Sequence, residues 1–148
     1  MSQQSDFGPT ERSRAREEIR DLVARYNANG DTGRFAQVKE LFAEDAVMRI
    51  EPEQELTGRD AIMTIFSGAT ATTGSLTHVR HFTSTHQIDF EDADHASGRL
   101  YFAVLTDVGL DHWGRYVDRY VRTVEGWKFS RRSVSVDGWS DGSLFPRL

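Results

Sequence analysis

Three of the five histidines in this 148-residue chain lie within nine residues, in the stretch "HVRHFTSTHQIDF" that spans residues 78–90. Imidazole transfers protons near neutral pH, since its unperturbed pKa is about 6.5, and it also binds metals. The stretch has the composition of a strand, in which side chains alternate between two faces. His78 and His86 then share one face and His81 lies on the other. No HExxH or similarly spaced ligand pair occurs elsewhere, and we expect no metal site.

Proton transfer needs only one histidine, provided that a carboxylate fixes its tautomer and stabilises the imidazolium. The candidate carboxylate is Asp31 in "RYNANGDTGRF", just after the apolar stripe of a helix. An aspartate in front of a helix is also a common N-cap, which accepts a backbone N–H bond. On spacing alone, Asp31 is therefore either the partner of a histidine or a helix cap.

Arg132 in "WKFSRRSV" shares a strand face with Val134 and Val136, so its charge is expected among apolar side chains and needs a partner. Asp118 in "GRYVDRY", on the preceding strand, can supply it. These residue types alone favour a structural cross-strand ion pair over a catalytic role.

The helices that must position these groups are predicted in the first half of the chain. In "ERSRAREEIRDLVARYNANG" apolar side chains fall at i, i+4, i+7, i+8 and i+11, which predicts a helix with one buried stripe that ends at Gly30. The apolar residues between Phe35 and Phe42 predict a shorter second helix. "AVMRI" is a candidate first strand, and "GRDAIMTIFSG" predicts a third short helix.

The second half of the chain is typical of antiparallel strands. Four stretches are rich in β-branched and aromatic residues and are separated by short polar or glycine-containing connections. They span residues 79–90, 95–107, 112–124 and 127–137. Helices followed by strands predict an α+β domain in which the helices cover one face of a curved sheet.

Length and composition fit a single domain, which we place at residues 10–137, with a flexible tail at 1–9 and a C-terminal extension at 138–148. The net charge is −5 and the basic residues are scattered, so nucleic acid is not an expected partner. The absence of cysteine excludes disulfides and thiolate chemistry. No leader-like or membrane-spanning apolar run occurs, and we expect a soluble, cytoplasmic protein.

Taken in order, six motifs resemble the SnoaL-like branch of the NTF2-like superfamily over about residues 12–137. They are "RxxIRDLVARYNANGD", "LFAEDAVMRI", "GRDAI", a strand beginning "RHF", "GRYVDRYVR" and "EGWKFSRRSV". The resemblance implies a cone-shaped α+β barrel, in which a curved, mostly antiparallel sheet wraps around three N-terminal helices and a deep pocket opens at one end.

The branch includes scytalone dehydratase, bile-acid 7α-dehydratase and hexachlorocyclohexane dehydrochlorinase. In its eliminating enzymes a histidine at the start of a long strand pairs with an aspartate from the end of the first helix, and the matching residues here are His81 and Asp31. Tyr26 stands five residues before the aspartate, as in the dehydratases, whereas the dehydrochlorinase has a basic residue there. Arg132 matches an arginine that follows the last-strand tryptophan by five residues.

The resemblance implies a cofactor-independent lyase that carries out a dehydratase-like elimination on a small, hydrophobic, cyclic substrate. His81 and Asp31 would form the base, and Tyr26 would hydrogen-bond the developing oxyanion or the departing hydroxyl. Four residues would bind the substrate: Phe66, Trp113, Tyr116 and Arg132. One alternative is an isomerase or a polyketide cyclase that uses the same base. Another is a non-catalytic binding or assembly subunit, such as the small subunit of a ring-hydroxylating dioxygenase.

The resemblance also implies a homo-oligomer, with a trimer favoured over a dimer. Trp113, Val117, Arg119 and Val121 share a strand parity that suits the surface between subunits.

One conflict concerns the strand that carries His81. Simple alternation does not place His81 on the face of the apolar residues Phe82, Ile88 and Phe90. Either the face that carries Val79 and Thr83 is the one that lines the pocket, or a β-bulge reverses the facing within the strand. The sequence leaves both solutions open.

Overall fold

The computed structural model describes residues 7–73 and 78–145 and contains three helices and six strands in that part of the chain. The helices are α1 (Pro9–Asp31), α2 (Phe35–Lys39) and α3 (Arg59–Thr73). The strands are β1 (Phe42–Ile50), β2 (Gln54–Thr57), β3 (Arg80–Phe90), β4 (His95–Thr106), β5 (Gly109–Thr123) and β6 (Gly126–Trp139).

The six strands form one sheet in the order β2-β1-β6-β5-β4-β3. β1 and β6 run parallel and every other neighbouring pair is antiparallel. The sheet remains open between its edge strands β2 and β3, and α1 packs against β3 and β6. These features confirm the predicted α+β class with a mostly antiparallel sheet and three helices. The four strands predicted after residue 78 correspond to β3 to β6.

α1 forms where the sequence predicts it, because its apolar stripe is buried along the sheet. Pro9 occupies the first turn, where its missing N–H costs no intrahelical bond. The helix continues one residue beyond the predicted end at Gly30 and stops after Asp31, and the chain then turns through Gly33 with φ +74°. The last residue of α1 is therefore Asp31, which carries a carboxylate.

The core lies between the inner face of the sheet and the helices, and α1 and α3 reach it with Ile19 and Ile62, both fully buried. Burying one such side chain stabilises the fold by about 1.5–3 kcal/mol. The other core side chains from α2 and the strands include Val38, Phe42, Met48, Leu100, Val104, Tyr120 and Phe129.

Several boundaries differ from the predicted ones. β2 was not predicted, because its "QELT" sequence has only one partly buried apolar residue. Leu41 and Phe42, predicted in the second helix, lie beyond the end of α2, and Phe42 begins β1.

The ordered domain is also wider than predicted at both ends. Phe7 packs edge to face on Phe90 at 5.1 Å, although it falls within the expected tail. β6 runs to Trp139, and Ser143 and Leu144 hydrogen-bond to Asp111, so part of the expected extension belongs to the domain.

Arg132 and Asp118 form a buried bidentate ion pair on the inner face, as their spacing predicts. The two residues face each other across β6 and β5, and both side chains are fully buried. Nε and Nη2 of Arg132 donate to the two carboxylate oxygens at 2.9 and 2.8 Å.

We expect Asp118→Ala to lower the free energy of unfolding by about 3–5 kcal/mol, because it leaves a buried guanidinium without its counter-charge. Glu91→Ala is the matched control. It removes an exposed ion pair with Arg119, which lies on β5 next to Asp118, and it should cost no more than about 1 kcal/mol. Urea denaturation followed by circular dichroism measures both values. If Asp118→Ala does not fold, Asp118→Leu combined with Arg132→Met should restore folding. Equal losses in the two single variants would contradict the expected difference.

Candidate active site

A β-bulge in β3 resolves which way its histidines face. Ser84 pairs with Tyr101 and Gln87 with Arg99, so β3 contains one residue more than β4 over this stretch. Thr85, within the bulge, has the positive φ of 54°. The extra residue reverses the alternation within β3. The face of Val79 and Thr83 therefore points inward before the bulge, and the face of Ile88 and Phe90 points inward after it.

The bulge brings His81 and His86 to the same face of the sheet. Before it, His81 points inward and Phe82 is 57% exposed, whereas after it Ile88 is buried. The prediction that alternation separates His81 from His86 is therefore wrong, because the alternation rule does not cross a bulge. His78 precedes the bulge and is exposed.

Asp31 and His81 meet although fifty residues separate them in the chain. Oδ1 of Asp31 lies 2.6 Å from Nδ1 of His81, and Oδ2 accepts the backbone N–H of His81 at 2.8 Å. The Asp31 side chain is 7% exposed and that of His81 is 23% exposed. One carboxylate thus holds both the ring and the backbone of this histidine. Nδ1–H donates to it, and Nε2 remains available to another group.

Asp31 does not cap the second helix. Arg34 is the residue that precedes α2, and Asp31 is the last residue of α1. The end of a helix carries a partial negative charge, and no basic side chain lies in the last turn of α1. The negative charge of Asp31 adds to this partial charge, so a positively charged neighbour stabilises the carboxylate. His81 is such a neighbour when it carries a second proton.

Tyr26 lies five residues before Asp31 on α1, inside a cluster of aromatic rings. Its ring makes edge contacts with other rings at centroid distances of 5.7–6.1 Å, and these belong to Phe42, Phe66, Tyr116 and Phe129. Burial raises the pKa of the Tyr26 phenol, although the charge of Arg132 opposes this shift. Tyr26 is consequently a protonated donor at neutral pH.

Arg132 lies under the same cluster. Its guanidinium carbon is 4.3 Å from the centre of the Tyr26 ring and 3.8 Å from that of Tyr116. Burial opposes its charge, but Asp118 more than compensates and the pKa of Arg132 is raised. Nη1 is buried and has no hydrogen-bond partner among the described residues. A buried donor without a partner is costly, and an oxygen atom placed beside it would remove that cost.

The predicted substrate-binding residues fall into two groups. Phe66, Tyr116 and Arg132 contact Tyr26 and lie on the inner side of the sheet. Trp113 does not: it lies on the outer face of β5, where its ring covers Gly138. The prediction that Trp113 lines the site is wrong, because alternation along β5 turns His112 inward and its neighbour outward.

A second histidine–aspartate pair, which the sequence interpretation missed, lies on the inner face at the start of β5. Nδ1 of His112 is 2.7 Å from Oδ1 of Asp111, and both residues are buried. Adjacent strand residues normally face opposite ways, so "DH" gives no sign of this pair. Asp111 is the extra residue of a bulge, since Val104 pairs with His112 and Leu105 pairs with Leu110.

A third polar group extends the Asp118–Arg132 pair toward β3. Tyr120 donates to Oδ2 of Asp118 at 2.9 Å, and Nε2 of His86 lies 3.0 Å from the Tyr120 hydroxyl. Gly98, on β4, makes this possible, because a Cβ there would come within 2.7 Å of the Tyr120 ring. His86, which strand alternation placed on the face opposite His81, is a member of this network.

Among the described residues, no cluster of three histidine, aspartate or glutamate side chains is placed to hold a metal ion. In the same part of the chain, no helix is both long and apolar enough to cross a membrane.

The fold of the described residues, three helices against a mostly antiparallel six-stranded sheet, is that of a known class. The profile of the SnoaL-like domain matches residues 11–133, and the chain belongs to this family. A comparison with curated protein sequences finds no match.

Solved structures agree with this assignment. A candidate scytalone dehydratase from Novosphingobium aromaticivorans is 22% identical, with a TM-score of 0.83 over 95% of this chain and 94% of that one. An NTF2-like protein with a cystatin-like fold from the same organism is 27% identical, with a TM-score of 0.75 over 90% of each chain. Hexachlorocyclohexane dehydrochlorinase LinA-type3 from Novosphingobium barchaimii is 17% identical, with a TM-score of 0.77 over 95% and 100%. The predicted NTF2-like, cone-shaped fold is confirmed.

The two inward histidines outside the Asp31 pair should make stability depend on pH. Burial lowers the pKa of both His86 and His112. Above about pH 6.5 both are neutral in the folded and unfolded states, but below it the unfolded chain binds protons first. The free energy of unfolding should therefore fall as the pH drops from about 7.5 to about 5, and His86→Gln or His112→Gln should reduce this fall. Urea denaturation at each pH tests this, with the exposed His95→Gln as control. An unchanged pH dependence in both variants would contradict the expectation.

Proposed function

We propose that the protein is a cofactor-independent lyase in which His81 is the general base. The observation that carries this proposal is the 2.6 Å contact between Nδ1 of His81 and the Asp31 carboxylate on the inner face of the sheet. A non-catalytic binding subunit has no need of such a pair. The enzymatic names of two structural neighbours, a candidate dehydratase and a dehydrochlorinase, support the same class of reaction.

In the proposed reaction, Nε2 of His81 removes a proton from a carbon that a neighbouring carbonyl or leaving group has made acidic. Asp31 holds the ring in the tautomer that leaves Nε2 unprotonated and then stabilises the imidazolium. The electron pair of the broken C–H bond forms the new double bond as the leaving group departs. A positioned base of this kind contributes about 10²–10⁴ in rate.

Tyr26 and Arg132 are the proposed donors to the oxygen on which charge develops. The Tyr26 phenol is kept protonated by burial, and Nη1 of Arg132 is a buried donor with no partner among the described residues. Asp118 already balances the charge of Arg132, so this donor suits an oxygen that is neutral in the substrate and gains charge during the reaction. Removing one donor of this type typically costs about 10²–10³ in rate.

The surrounding side chains favour a small hydrophobic, ring-containing substrate. Phe102 stacks on Tyr116 with 4.6 Å between ring centres, and its ring lies 6.4 Å from that of His81. Phe66 contributes a further ring beside Tyr26. Aromatic walls exclude water and strengthen the electrostatic contacts inside.

Self-association is proposed through the outer face of β3, β4 and β5. Large apolar side chains are exposed there, on neighbouring strands, and they are Phe82, Tyr101, Leu105, Trp113 and Val117. A contiguous apolar surface of this kind is typical of an interface. We infer a homo-oligomer, with a trimer favoured over a dimer by the likeness to dehydratase-like proteins.

Replacing His81 by Ala should lower catalysed carbon-acid chemistry at least about 100-fold, and Asp31→Asn should lower it about 10- to 100-fold, since the base and then its orientation are lost. A readout that needs no natural substrate is the exchange of the α-protons of 2-tetralone in heavy water, followed by proton NMR. The exposed pair of His95 with Asp92 supplies the control, and His95→Ala should exchange at the wild-type rate. Undiminished exchange in both His81→Ala and Asp31→Asn would remove the dyad from the mechanism.

For the oligomer, light scattering coupled to size-exclusion chromatography should give three times the mass of one chain. Val117→Arg places a charge in the apolar outer face and should produce monomers. Val124→Arg, at a fully exposed position in the turn between β5 and β6, should leave the assembly intact. A monomeric wild-type protein would rule out the proposed assembly.

A further inference from the structure

His112 and His81 face the interior from one row of the sheet. His81 pairs with Val104, and Val104 pairs with His112, so their backbones are two strand spacings apart, or about 10 Å. Both rings point inward, and each is held through Nδ1 by a carboxylate at 2.6 or 2.7 Å. The interior is therefore lined by two fixed imidazoles, of which the proposed reaction uses one.

The hydrogen bonds of Asp111 determine the tautomer of His112. Burial opposes the charge of Asp111, but bonds from four donors outweigh it and the pKa of this carboxyl is lowered. The donors and their distances are the Leu144 backbone N–H at 2.9 Å, the Ser143 hydroxyl at 2.6 Å, the His112 ring at 2.7 Å and the Thr106 hydroxyl at 3.0 Å. An ionised carboxylate only accepts, so Nδ1 of His112 must carry the proton.

Nε2 of His112 is consequently a hydrogen-bond acceptor. Burial lowers the pKa of the ring, and a charge on His81 lowers it further, so His112 is neutral at pH 7. No described residue makes a hydrogen bond to its Nε2. The four bonds around Asp111 fix the ring, so this acceptor has one orientation.

The surroundings of His112 are aromatic. Its ring lies 4.7 Å from that of Phe145 and 6.2 Å from that of Phe102, and the Phe102 ring also lies 6.4 Å from that of His81. Gly114 leaves the space for Phe102, because a Cβ there would come within 2.8 Å of that ring. A fixed acceptor among apolar rings suits a hydroxyl group carried by an apolar body.

We propose that Nε2 of His112 binds a substrate hydroxyl, so that the substrate is a hydroxylated, ring-containing carbon acid held between the two histidines. The placement of the reacting carbon at His81 rests on the proposed function; the hydroxyl site does not. This inference assigns a specificity-determining role to a residue outside the His81–Asp31 pair.

The test compares two probes that differ only in the hydroxyl: 4-ethylphenol and 4-ethylanisole, titrated into the full-length protein by calorimetry. Wild type should bind the phenol about tenfold more tightly, as expected for one hydrogen bond to a buried acceptor. His112→Leu should abolish this preference, and His112→Gln, which retains an acceptor, should keep part of it. The exposed His95→Leu is the control and should keep all of it. Circular dichroism verifies that each variant is folded.

Equal binding of the two probes by wild type, an unchanged preference in His112→Leu, or no binding of either probe would each overturn the proposal. The nitrogen NMR signal of His112 Nε2 should also shift on addition of the phenol and not of the anisole. Failure of the lyase proposal gives a different result. In that case the wild-type protein would not exchange the α-protons of 2-tetralone, but it would still prefer the phenol.

Discussion

A charge that is removed from water must be matched inside the protein, and Arg132 imposes this requirement on the whole interior. Its guanidinium is fully buried beneath α1, so Asp118 must lie opposite it on the neighbouring strand. The second oxygen of Asp118 then also accepts from Tyr120, which in turn contacts His86. Three aromatic rings lie with their centres 3.8–4.3 Å from the guanidinium carbon. A single buried cation thus explains why polar residues from three strands converge under one helix.

The same helix, α1, both packs in the core and positions the candidate active site. α1 fills the core with apolar side chains such as Ile19 over most of its length, and then ends on Asp31, whose carboxylate binds the ring and backbone of His81. Packing of the helix on the sheet therefore sets the position of the carboxylate relative to the imidazole. A shift of α1 along its axis would alter this contact and the place of Tyr26 together. Rigid elements, rather than a loop, carry the proposed base and its partner.

Much of this arrangement could be predicted from the sequence, and the failures share a cause. Hydrophobic spacing located α1 and the long strands, and strand parity suggested the pairing of Arg132 with Asp118. Residue types left Asp31 ambiguous, and the family resemblance was needed to pair it with His81. The inward facing of His86 and the buried pair at His112 were missed, because each depends on a β-bulge. A bulge depends on how two strands fit together, and alternation within one strand contains no information about that fit.

The carboxylate of Asp111 has a consequence for where the domain ends. It lies within a strand, yet two of its four donors, Ser143 and Leu144, come from beyond the last strand. A chain shortened at residue 137 would retain every helix and nearly all of the sheet, but it would keep a buried negative charge with half of its donors missing. Ser143 and Leu144 thus give the buried Asp111 carboxylate hydrogen bonds that water would give it at the surface. The placement of Ser143 and Leu144 and the burial of this charge therefore depend on each other.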